Sequence, residues 1–365
     1  MRPIFNVEGL VDRNYLQQAL RRGGLNATFS RITIENIGGS KSILLLQGDT
    51  GGRYVLKRMR KDTSSWWAEL VGPTNPEAVL WNEDITTSLP GPLTSPNIDI
   101  SFNTQMGEWW LLMHDLSAQP AGNANSATLP IALAALHGRH WNSPAIQSLP
   151  LASSMGLLRA YAQPFVALLD STYSTNWARK LQEKPDYLSG KNCMALFDKA
   201  QSDFYLHAWA QCEEWHSALV SQSRTLCHGD FHSGNMQAVA PDKLALYDWQ
   251  FAQFAPGVMD LFFYEMLTFW SGQHLSKYSD DNSGSDPVSA FRLSYLSALR
   301  KVLGKQYDPD EISQMMKTGW LLNFLKWAPR LSRGVLKDNS AEGVKTALAI
   351  HRRAFTYAME LAEAV

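Results

Sequence analysis

Residues 227–235 read Cys227-His228-Gly229-Asp230-Phe231-His232-Ser233-Gly234-Asn235. An aspartate stands two positions after a histidine, and an asparagine follows that aspartate by five positions. Because two glycines interrupt the stretch, we expect a loop here rather than a helix. A carboxylate and an amide oxygen held by one loop can orient a hydroxyl group and bind a hard metal ion. The alternative is that Asp230 and Asn235 only form turns, in which both residue types are common.

A second aspartate follows this loop at the end of a predicted strand. The apolar run 244–247 leads directly into Asp248-Trp249-Gln250. The Asp230–Asn235 spacing is that of a kinase catalytic loop, H-R-D-x-x-x-x-N, and such enzymes keep their main metal-binding carboxylate just beyond it. We therefore predict that Asp230 is the catalytic base or the carboxylate that orients the acceptor, and that Asn235 and Asp248 bind Mg²⁺.

The residues around these positions narrow the class of enzyme. Gly229 stands where protein kinases have arginine, and the second motif is Asp-Trp-Gln instead of Asp-Phe-Gly. In these two motifs the chain resembles the aminoglycoside phosphotransferase and choline kinase superfamily, and most of all its ecdysteroid-kinase-like branch. The resemblance extends more loosely from about residue 32 to about residue 267. It implies a protein-kinase-like fold, ATP and Mg²⁺ as cofactors, and a small hydroxylated molecule as acceptor.

The hydrophobic pattern predicts an α+β protein, and the resemblance implies that it has a two-lobed, protein-kinase-like fold. Apolar residues at helical spacing predict a first helix over residues 12–22, and alternating residues predict strands on either side of a second helix that begins at Pro76 and ends near Ser88. The predicted strands cover residues 28–37, 42–47, 53–59, 96–103 and 108–113. We expect an antiparallel-sheet N-lobe with the hinge over residues 1–116, and a mostly helical C-lobe with the catalytic loop and acceptor site over residues 117–365.

Lys57 is the candidate lysine for the nucleotide phosphates. It ends the run Tyr54-Val55-Leu56-Lys57, which matches the V-A-I-K strand pattern of kinases. Its expected partner is Glu77, in the first turn of the next helix, while Glu69 and Glu83 are alternatives. Taken alone, Lys57 would be interpreted as a solvated strand end, so the prediction depends on the motif that follows.

Two further segments complete the predicted nucleotide site. Gly38, Gly39 and Ser40 precede the Lys57 strand, and glycines there would allow the backbone to approach phosphates. A plain hairpin turn is the alternative. The run 113–116 resembles the family hinge, with His114 at a position that is often acidic. Asp260 also matches a family position, and we expect it to brace the catalytic loop or to cap a helix.

The acceptor site is predicted from aromatic residues on the late helices. Trp270, Trp320, Phe324 and Trp327 occur at spacings that share a helix face, and Glu265 would add negative charge for a cationic acceptor. Such a stripe suits ring stacking or cation–π contact, although aromatic stripes more often form core. Candidate acceptors are an antibiotic or other secondary metabolite, a sterol-like alcohol and a choline-like amino alcohol.

Composition excludes several other classes of function. The 365 residues carry a formal net charge of −1, which gives no basis for binding nucleic acid or an anionic membrane. No apolar run reaches the length of a membrane span, the N-terminus lacks the apolar h-region of a secretory signal, and an odd count of three cysteines does not suggest a disulfide framework. We expect a cytoplasmic enzyme. The alternatives are a nucleotide-binding pseudokinase or scaffold and, with less support, a protein kinase.

Overall fold

The structure is a computed structural model that describes residues 13–25, 35–36, 43–49, 51–60, 75–104, 107–118, 128–170, 191–268, 287–331 and 340–365. Its contacts divide the chain into two compact units. We call the first the sheet unit, which consists of Met1–Thr63, Glu77–Leu129 and Ser233–Asp248. The second, the helical unit, consists of Ser64–Pro76, Pro130–His232 and Trp249–Val365. The predicted lobe boundary at residue 116 stays a prediction.

The sheet unit is built on a five-stranded antiparallel sheet with the order β1-β2-β3-β6-β5. Alternating residues of β2 and β3 are buried, as expected for a sheet with one face on a core. This face packs with the first helix in a single cluster that includes Leu16, Leu20, Leu46 and Leu56. The elements are α1 (Arg13–Arg22), β1 (Glu35–Asn36), β2 (Ile43–Gln47), β3 (Arg53–Arg60), α2 (Pro76–Asn82), β4 (Leu93–Thr94), β5 (Asn97–Asn103) and β6 (Glu108–His114).

A smaller three-stranded sheet completes this unit. Strands β8 (Met236–Ala240) and β9 (Lys243–Leu246) form an antiparallel hairpin, and β4 pairs with β9 in parallel. The pairing of Leu93 with Leu244 ties this hairpin to the segment that follows α2. Residues 235 and 248, which flank the hairpin, are thereby fixed within the sheet unit.

Helix α2 ends earlier than the sequence pattern predicts. It stops at Asn82 instead of continuing to Ser88. Asp84 adopts a left-handed backbone conformation with φ of 55°, and the Ile85 N–H bonds back to the Leu80 carbonyl at 2.9 Å. This is the Schellman arrangement that satisfies the last carbonyls of a helix, so the termination has a local cause.

In the helical unit, helix α9 (Pro309–Trp327) packs against α5 (Ser154–Leu169), α6 (Lys199–Val220), α7 (Val258–Thr268) and α10 (Ala341–Ala362). Every residue from Thr318 to Trp327 is buried. The strands β7 (Thr225–Cys227) and β10 (Gln253–Ala255) pair in an antiparallel fashion beside these helices. The remaining helices are α3 (Thr128–Arg139), α4 (Pro144–Gln147) and α8 (Pro287–Leu303).

The predicted fold class is confirmed: the protein is α+β, with an antiparallel sheet in its N-terminal part and helices in its C-terminal part. Most of the predicted strand 28–37 lies outside the described residues. Within the parts of the chain that the structure describes, no helix is both long and apolar enough to cross a membrane.

Strands β3 and β6 of the sheet carry a buried ion pair, Arg58 with Glu108. The Arg58 Nε lies 2.6 Å from Glu108 Oε1, and Trp110 Nε1 donates to the same oxygen at 2.7 Å. Arg58 and Glu108 are both buried, and the guanidinium also lies 5.7 Å from the centroid of the Trp110 ring. A charge removed from water in this way is tolerated only because a partner of opposite sign is held against it.

We expect Arg58→Met to lower the free energy of unfolding by about 3–5 kcal/mol, because it removes the cation that lies against the buried Glu108 carboxylate. The double variant Arg58→Met/Glu108→Gln should recover most of that loss, since a neutral amide oxygen can still accept from Trp110. Urea denaturation of both variants provides the test. A loss of less than about 1 kcal/mol in the single variant would contradict a buried pair and indicate a surface one.

Candidate phosphoryl-transfer site

Lys57 is held between two carboxylates in the sheet unit. Strand β3 places its Nζ 3.1 Å from Glu77 Oε2 and 2.6 Å from Asp248 Oδ1. Glu77 lies in the first turn of α2 and is fully buried, whereas Glu83 is exposed beyond the end of that helix and Glu69 lies outside the described residues. The structure therefore brings together three residues that are distant in sequence and that sequence reasoning assigned to one site.

The charge state of Lys57 follows from these two contacts. Burial by itself lowers the pKa of the ammonium, but the Glu77 and then the Asp248 carboxylates outweigh it and hold the pKa above its ordinary value. Lys57 is thus a permanently charged group at neutral pH. A fixed positive charge of this kind can bind an anionic group such as a phosphate if one of its two carboxylate partners, Asp248, coordinates a metal ion instead.

Asn235 and Asp248 flank the β8–β9 hairpin at the same end. Met236 pairs with Leu246, and the Tyr247 N–H donates to the Asn235 carbonyl at 3.1 Å. Asp248 follows directly, with a left-handed φ of 66°, a conformation that aspartate adopts more readily than most residues. One carboxylate and one amide are oxygen donors of the kind that Mg²⁺ prefers, so this residue set fits the predicted metal.

In the helical unit, Asp260 holds the loop that carries Asp230. The two oxygens of its carboxylate accept the N–H groups of His228 and Gly229 at 2.6 and 2.8 Å. Gly229 has a φ of 80°, and a Cβ added there would lie 1.9 Å from the Phe251 carbonyl oxygen. Only glycine fits this turn, which explains why the arginine of protein kinases cannot stand here.

Asp230 is surrounded by cationic and histidine side chains. Its N–H donates to His228 Nδ1 at 3.3 Å, and its Oδ2 lies 3.5 Å from His232 Nε2. Burial raises the pKa of the carboxyl group, but the hydrogen bond and charge of His232, with His228 and Lys326, outweigh that effect and lower the pKa below its ordinary value. Asp230 is therefore ionised at neutral pH, as a proton acceptor has to be.

Lys326, which the sequence reasoning did not select, lies close to this group. It is a buried residue of α9, and its Nζ lies 4.3 Å from the centroid of the Phe263 ring and 4.6 Å from that of Tyr161. Burial lowers the pKa of Lys326 to about 8, an effect that Asp230 and Asp260 only partly offset. A lone lysine in the apolar run 319–327 was the sequence signal that could have identified it.

The residues predicted for the acceptor differ in their surroundings. Trp320 and Phe324 are fully buried and stack on each other at 5.5 Å, so they offer no surface to a ligand. Trp327 packs edge-on against Phe263 at 5.0 Å, and Phe263 in turn stacks on His232 at 6.2 Å. Trp327 is thus the aromatic residue of the set that lies nearest the catalytic loop among the described residues, while Trp270 lies outside them.

Glu265 does not present a negative charge to a ligand. It is fully buried, and its two oxygens accept from Nε and Nη2 of Arg292, both at 2.7 Å. The guanidinium also donates to the Tyr357 hydroxyl at 3.2 Å. This fork-to-fork pair neutralises the carboxylate, and we do not carry Glu265, Trp320 or Phe324 into the proposed acceptor site.

The predicted hinge, residues 113–116, contacts neighbouring segments of the sheet unit through hydrogen bonds and an ion pair. His114 ends β6 with an exposed side chain, and its N–H donates to the Pro96 carbonyl at 2.9 Å. Arg53 Nε lies 2.8 Å from Asp115 Oδ2, and Gln237 Nε2 donates to the Leu116 carbonyl at 2.7 Å. Gly38, Gly39 and Ser40, the predicted phosphate loop, lie outside the described residues.

A second cluster of potential metal ligands, His137, Cys227 and Asp260, is buried in the helical unit. Asp260 is already engaged by two backbone N–H groups, and His137 Nδ1 lies 2.8 Å from the Tyr295 hydroxyl. Burial raises the pKa of the Cys227 thiol well above its ordinary value, which disfavours the thiolate that a metal requires. This cluster is best explained as the support of the catalytic loop.

Comparison with known proteins identifies the family. The sequence model of the phosphotransferase enzyme family matches residues 34–277. No curated protein matches the chain. The chain is similar to the crystal structure of an aminoglycoside phosphotransferase from Alicyclobacillus acidocaldarius, with 15% identity over 90% of this chain and 92% of that one and a TM-score of 0.44.

Two other solved structures are similar at the same level. An ethanolamine kinase from Plasmodium vivax has 12% identity, coverage of 93% of this chain and 87% of that one, and a TM-score of 0.48. A spectinomycin phosphotransferase in complex with ADP and spectinomycin has 11% identity, coverage of 97% and 99%, and a TM-score of 0.43.

The predicted superfamily is confirmed by the family match, whereas the ecdysteroid-kinase-like branch stays a prediction. The match spans the Lys57 strand, the catalytic loop and Asp248, which are the segments whose geometry is described above. The chain belongs to the phosphotransferase enzyme family.

Proposed function

We propose that this protein is a kinase that uses ATP and Mg²⁺ to phosphorylate a hydroxyl group of a small molecule. The observation that carries the proposal is the contact of Lys57 with both Glu77 and Asp248. A lysine held by a helix glutamate beside a strand-borne aspartate is the arrangement that kinases require for nucleotide phosphates. Family membership supports phosphotransfer, and the site supports the nucleotide and the metal.

In this proposal the sheet unit binds the nucleotide. Lys57 contributes positive charge to the α- and β-phosphates, and Glu77 fixes the direction of its side chain. Asp248 and Asn235 would hold Mg²⁺, which neutralises charge on the phosphates during transfer. We expect the base to contact the backbone of the hinge, 113–116, so that His114 would contribute through its backbone and not through its exposed ring.

Asp230 is the proposed proton acceptor for the acceptor hydroxyl. The acceptor oxygen forms a bond to the γ-phosphorus while the bond from that phosphorus to the bridging oxygen breaks, and ADP leaves. The hydroxyl proton passes to the ionised Asp230 carboxylate. Because the pKa of this carboxyl is held low by His232 and its other neighbours, the residue mainly orients the hydroxyl and accepts its proton late.

The main alternative is a nucleotide-binding pseudokinase or scaffold. It would not need Asp230, yet that carboxylate is ionised and its loop is braced through Asp260. A panel of small alcohols, sugars and aminoglycosides, assayed with Mg²⁺ and ATP for phosphorylated product, separates the kinase from the scaffold.

We expect Asp230→Asn to lower kcat by a factor on the order of 10² or more, because an amide cannot accept the hydroxyl proton. ATP affinity and the unfolding temperature should be nearly unchanged. Asp242→Asn, on the exposed turn between β8 and β9, is the matched control and should retain full activity. Near-normal turnover of Asp230→Asn would rule out the role of Asp230 as base.

We expect Asp248→Ala to abolish the part of the ATP-induced rise in unfolding temperature that requires Mg²⁺, because the variant lacks the main metal-binding carboxylate. Differential scanning fluorimetry with ATP, in the presence of either Mg²⁺ or a chelator, measures this difference. Asp242→Ala should behave as the unmodified protein. A full Mg²⁺-dependent rise in Asp248→Ala would show that the metal binds elsewhere.

A further inference from the structure

The side chains of His228, His232 and Lys326 lie around Asp230 in the helical unit and lower the pKa of its carboxyl group. Asp230 and Asp260 are the acids in this group, and Asp260 is engaged by the loop N–H groups. Lys326 and Arg330 lie one helical turn apart, and both exert a positive charge on their neighbours. Glu265, a further acid of the helical unit, does not compensate these positive charges, because it forms an ion pair with Arg292.

Lys326 is a buried cation whose contacts are with aromatic rings. Its side chain is only about one-twentieth exposed. Nζ lies over the rings of Phe263, Tyr161 and Trp327 at 4.3, 4.6 and 6.0 Å. Within the described ranges, no carboxylate lies within ion-pair distance of this ammonium. Removing an ammonium from water is costly, and ring faces compensate only in part.

Arg330 is a second cation beside Lys326, so it does not compensate the lysine charge. Its Nη1 donates to the carbonyl oxygens of Tyr161 and Lys326 at 3.3 and 3.0 Å. The guanidinium lies 4.6 Å from the centroid of the Phe165 ring. The two cations therefore share one aromatic environment, and Arg330 lowers the pKa of Lys326 further.

The ammonium lies close to the catalytic loop. The Phe263 ring contacts both groups: Lys326 Nζ lies 4.3 Å from its centroid, and the His232 ring stacks on it with a distance of 6.2 Å between centroids. His232 Nε2 lies 3.5 Å from Asp230 Oδ2. A molecule whose hydroxyl approaches Asp230 would thus have its other end near aromatic rings and a positive charge.

We propose that Lys326 binds an anionic group of the acceptor, so that the substrate is a hydroxylated molecule carrying a ring and a carboxylate or similar oxyanion, and not a cationic amino alcohol. The inference rests on the proposed function, because it names the class of acceptor for the same site. An acceptor anion would provide the ion pair that Lys326 lacks within the described protein, and the rings would pack against the acceptor ring.

If the buried Lys326 ammonium has no anionic partner, its charge should lower the stability of the folded protein. The pKa of Lys326 in the folded protein, about 8, lies below its ordinary value of 10.5, so the folded state is penalised for the charge at every pH below about 8. Lys326→Met should therefore raise the unfolding temperature at pH 7, by roughly 2–4 °C or more. The advantage should shrink as pH rises from about 8 towards 10.5, because the penalty disappears with the proton.

Lys301→Met, at an exposed position of α8, is the control and should leave the unfolding temperature unchanged at both pH values. If Lys326→Met instead unfolds at a lower temperature at pH 7, the lysine stabilises the core, and the inference that it is kept for a ligand is contradicted. Asp230, Asp260, Arg330 and Tyr161 are the neighbouring groups that set this titration.

Three probes of one shape test the charge preference directly: para-hydroxymethylbenzoate, para-hydroxymethylbenzamide and para-hydroxymethylbenzylamine. Isothermal titration calorimetry on the full chain at pH 7, without nucleotide, measures their binding. We expect the benzoate to bind about 10-fold more tightly than the amide, and the amine to bind least, because a charge-assisted hydrogen bond is stronger than a neutral one and the ammonium of the amine is repelled by Lys326. Lys326→Met should remove the preference, and Lys301→Met should keep it.

Three results would overturn the inference: tightest binding of the amine, an unchanged preference in Lys326→Met, or no binding of any of the probes. Steady-state kinetics of Lys326→Met show whether Lys326 contacts an anionic group of the acceptor or the transferred phosphate. If Lys326→Met lowers kcat equally for all acceptors and leaves their KM values alone, the lysine acts on the transferred phosphate, and the acceptor assignment is wrong. Since the titrations need no phosphoryl transfer, failure of the kinase proposal would be visible separately as ATP that is not consumed.

Discussion

The contact of Lys57 with Glu77 and Asp248 is the interaction on which the candidate nucleotide site depends. It connects the middle of β3, the first turn of α2 and the residue after β9, which are separate in sequence. Each partner is held by its own element: Glu77 by a buried helix turn, and Asp248 by the hairpin whose last bond joins Tyr247 to Asn235. A pre-positioned charge needs little reorganisation when a phosphate binds, which is the main way in which kinases accelerate transfer.

The catalytic loop depends on a different constraint, a backbone that only glycine can adopt. Gly229 turns against the Phe251 carbonyl, and the Asp260 carboxylate binds the two N–H groups that this turn exposes. Asp260 is itself near His137, which contacts Tyr295. The buried polar groups of the helical unit therefore support Asp230 from behind, and the low pKa of Asp230 results from the histidine and lysine residues around it.

Much of the fold and part of the site could be predicted from the sequence. Lys57, Asp230, Asn235 and Asp248 belong to motifs with fixed spacing, and β3, β6 and the late helices follow strong hydrophobic periodicity. The short strands β4, β7 and β10 were missed because two or three residues carry no periodic signal. The early end of α2 was missed because it depends on the backbone of a single residue, Asp84.

The acceptor site shows where a sequence pattern alone does not suffice. Trp320, Phe324 and Trp327 share a helix and are all buried, but Trp327 packs on Phe263, which stacks on His232 of the catalytic loop, whereas Trp320 and Phe324 stack on each other. Glu265 was predicted to face a cationic acceptor, but the structure pairs its carboxylate with Arg292, 27 residues later. Lys326 belongs to no motif. Its position in the mainly apolar run 319–327 sets it apart in the sequence, but its contacts with Phe263 and Tyr161 become visible only in the structure. Such pairings depend on tertiary contacts between distant elements, which a single sequence does not reveal.

Calorimetric titration of ATP into the full chain tests the central claim, that Lys57, Asn235 and Asp248 form a metal–nucleotide site, most directly. The account predicts one ATP per chain, bound at least about 10-fold more tightly with Mg²⁺ than with a chelator, because the metal links the phosphates to the carboxylate and the amide. Absence of ATP binding, or equal affinity with and without Mg²⁺, would contradict it.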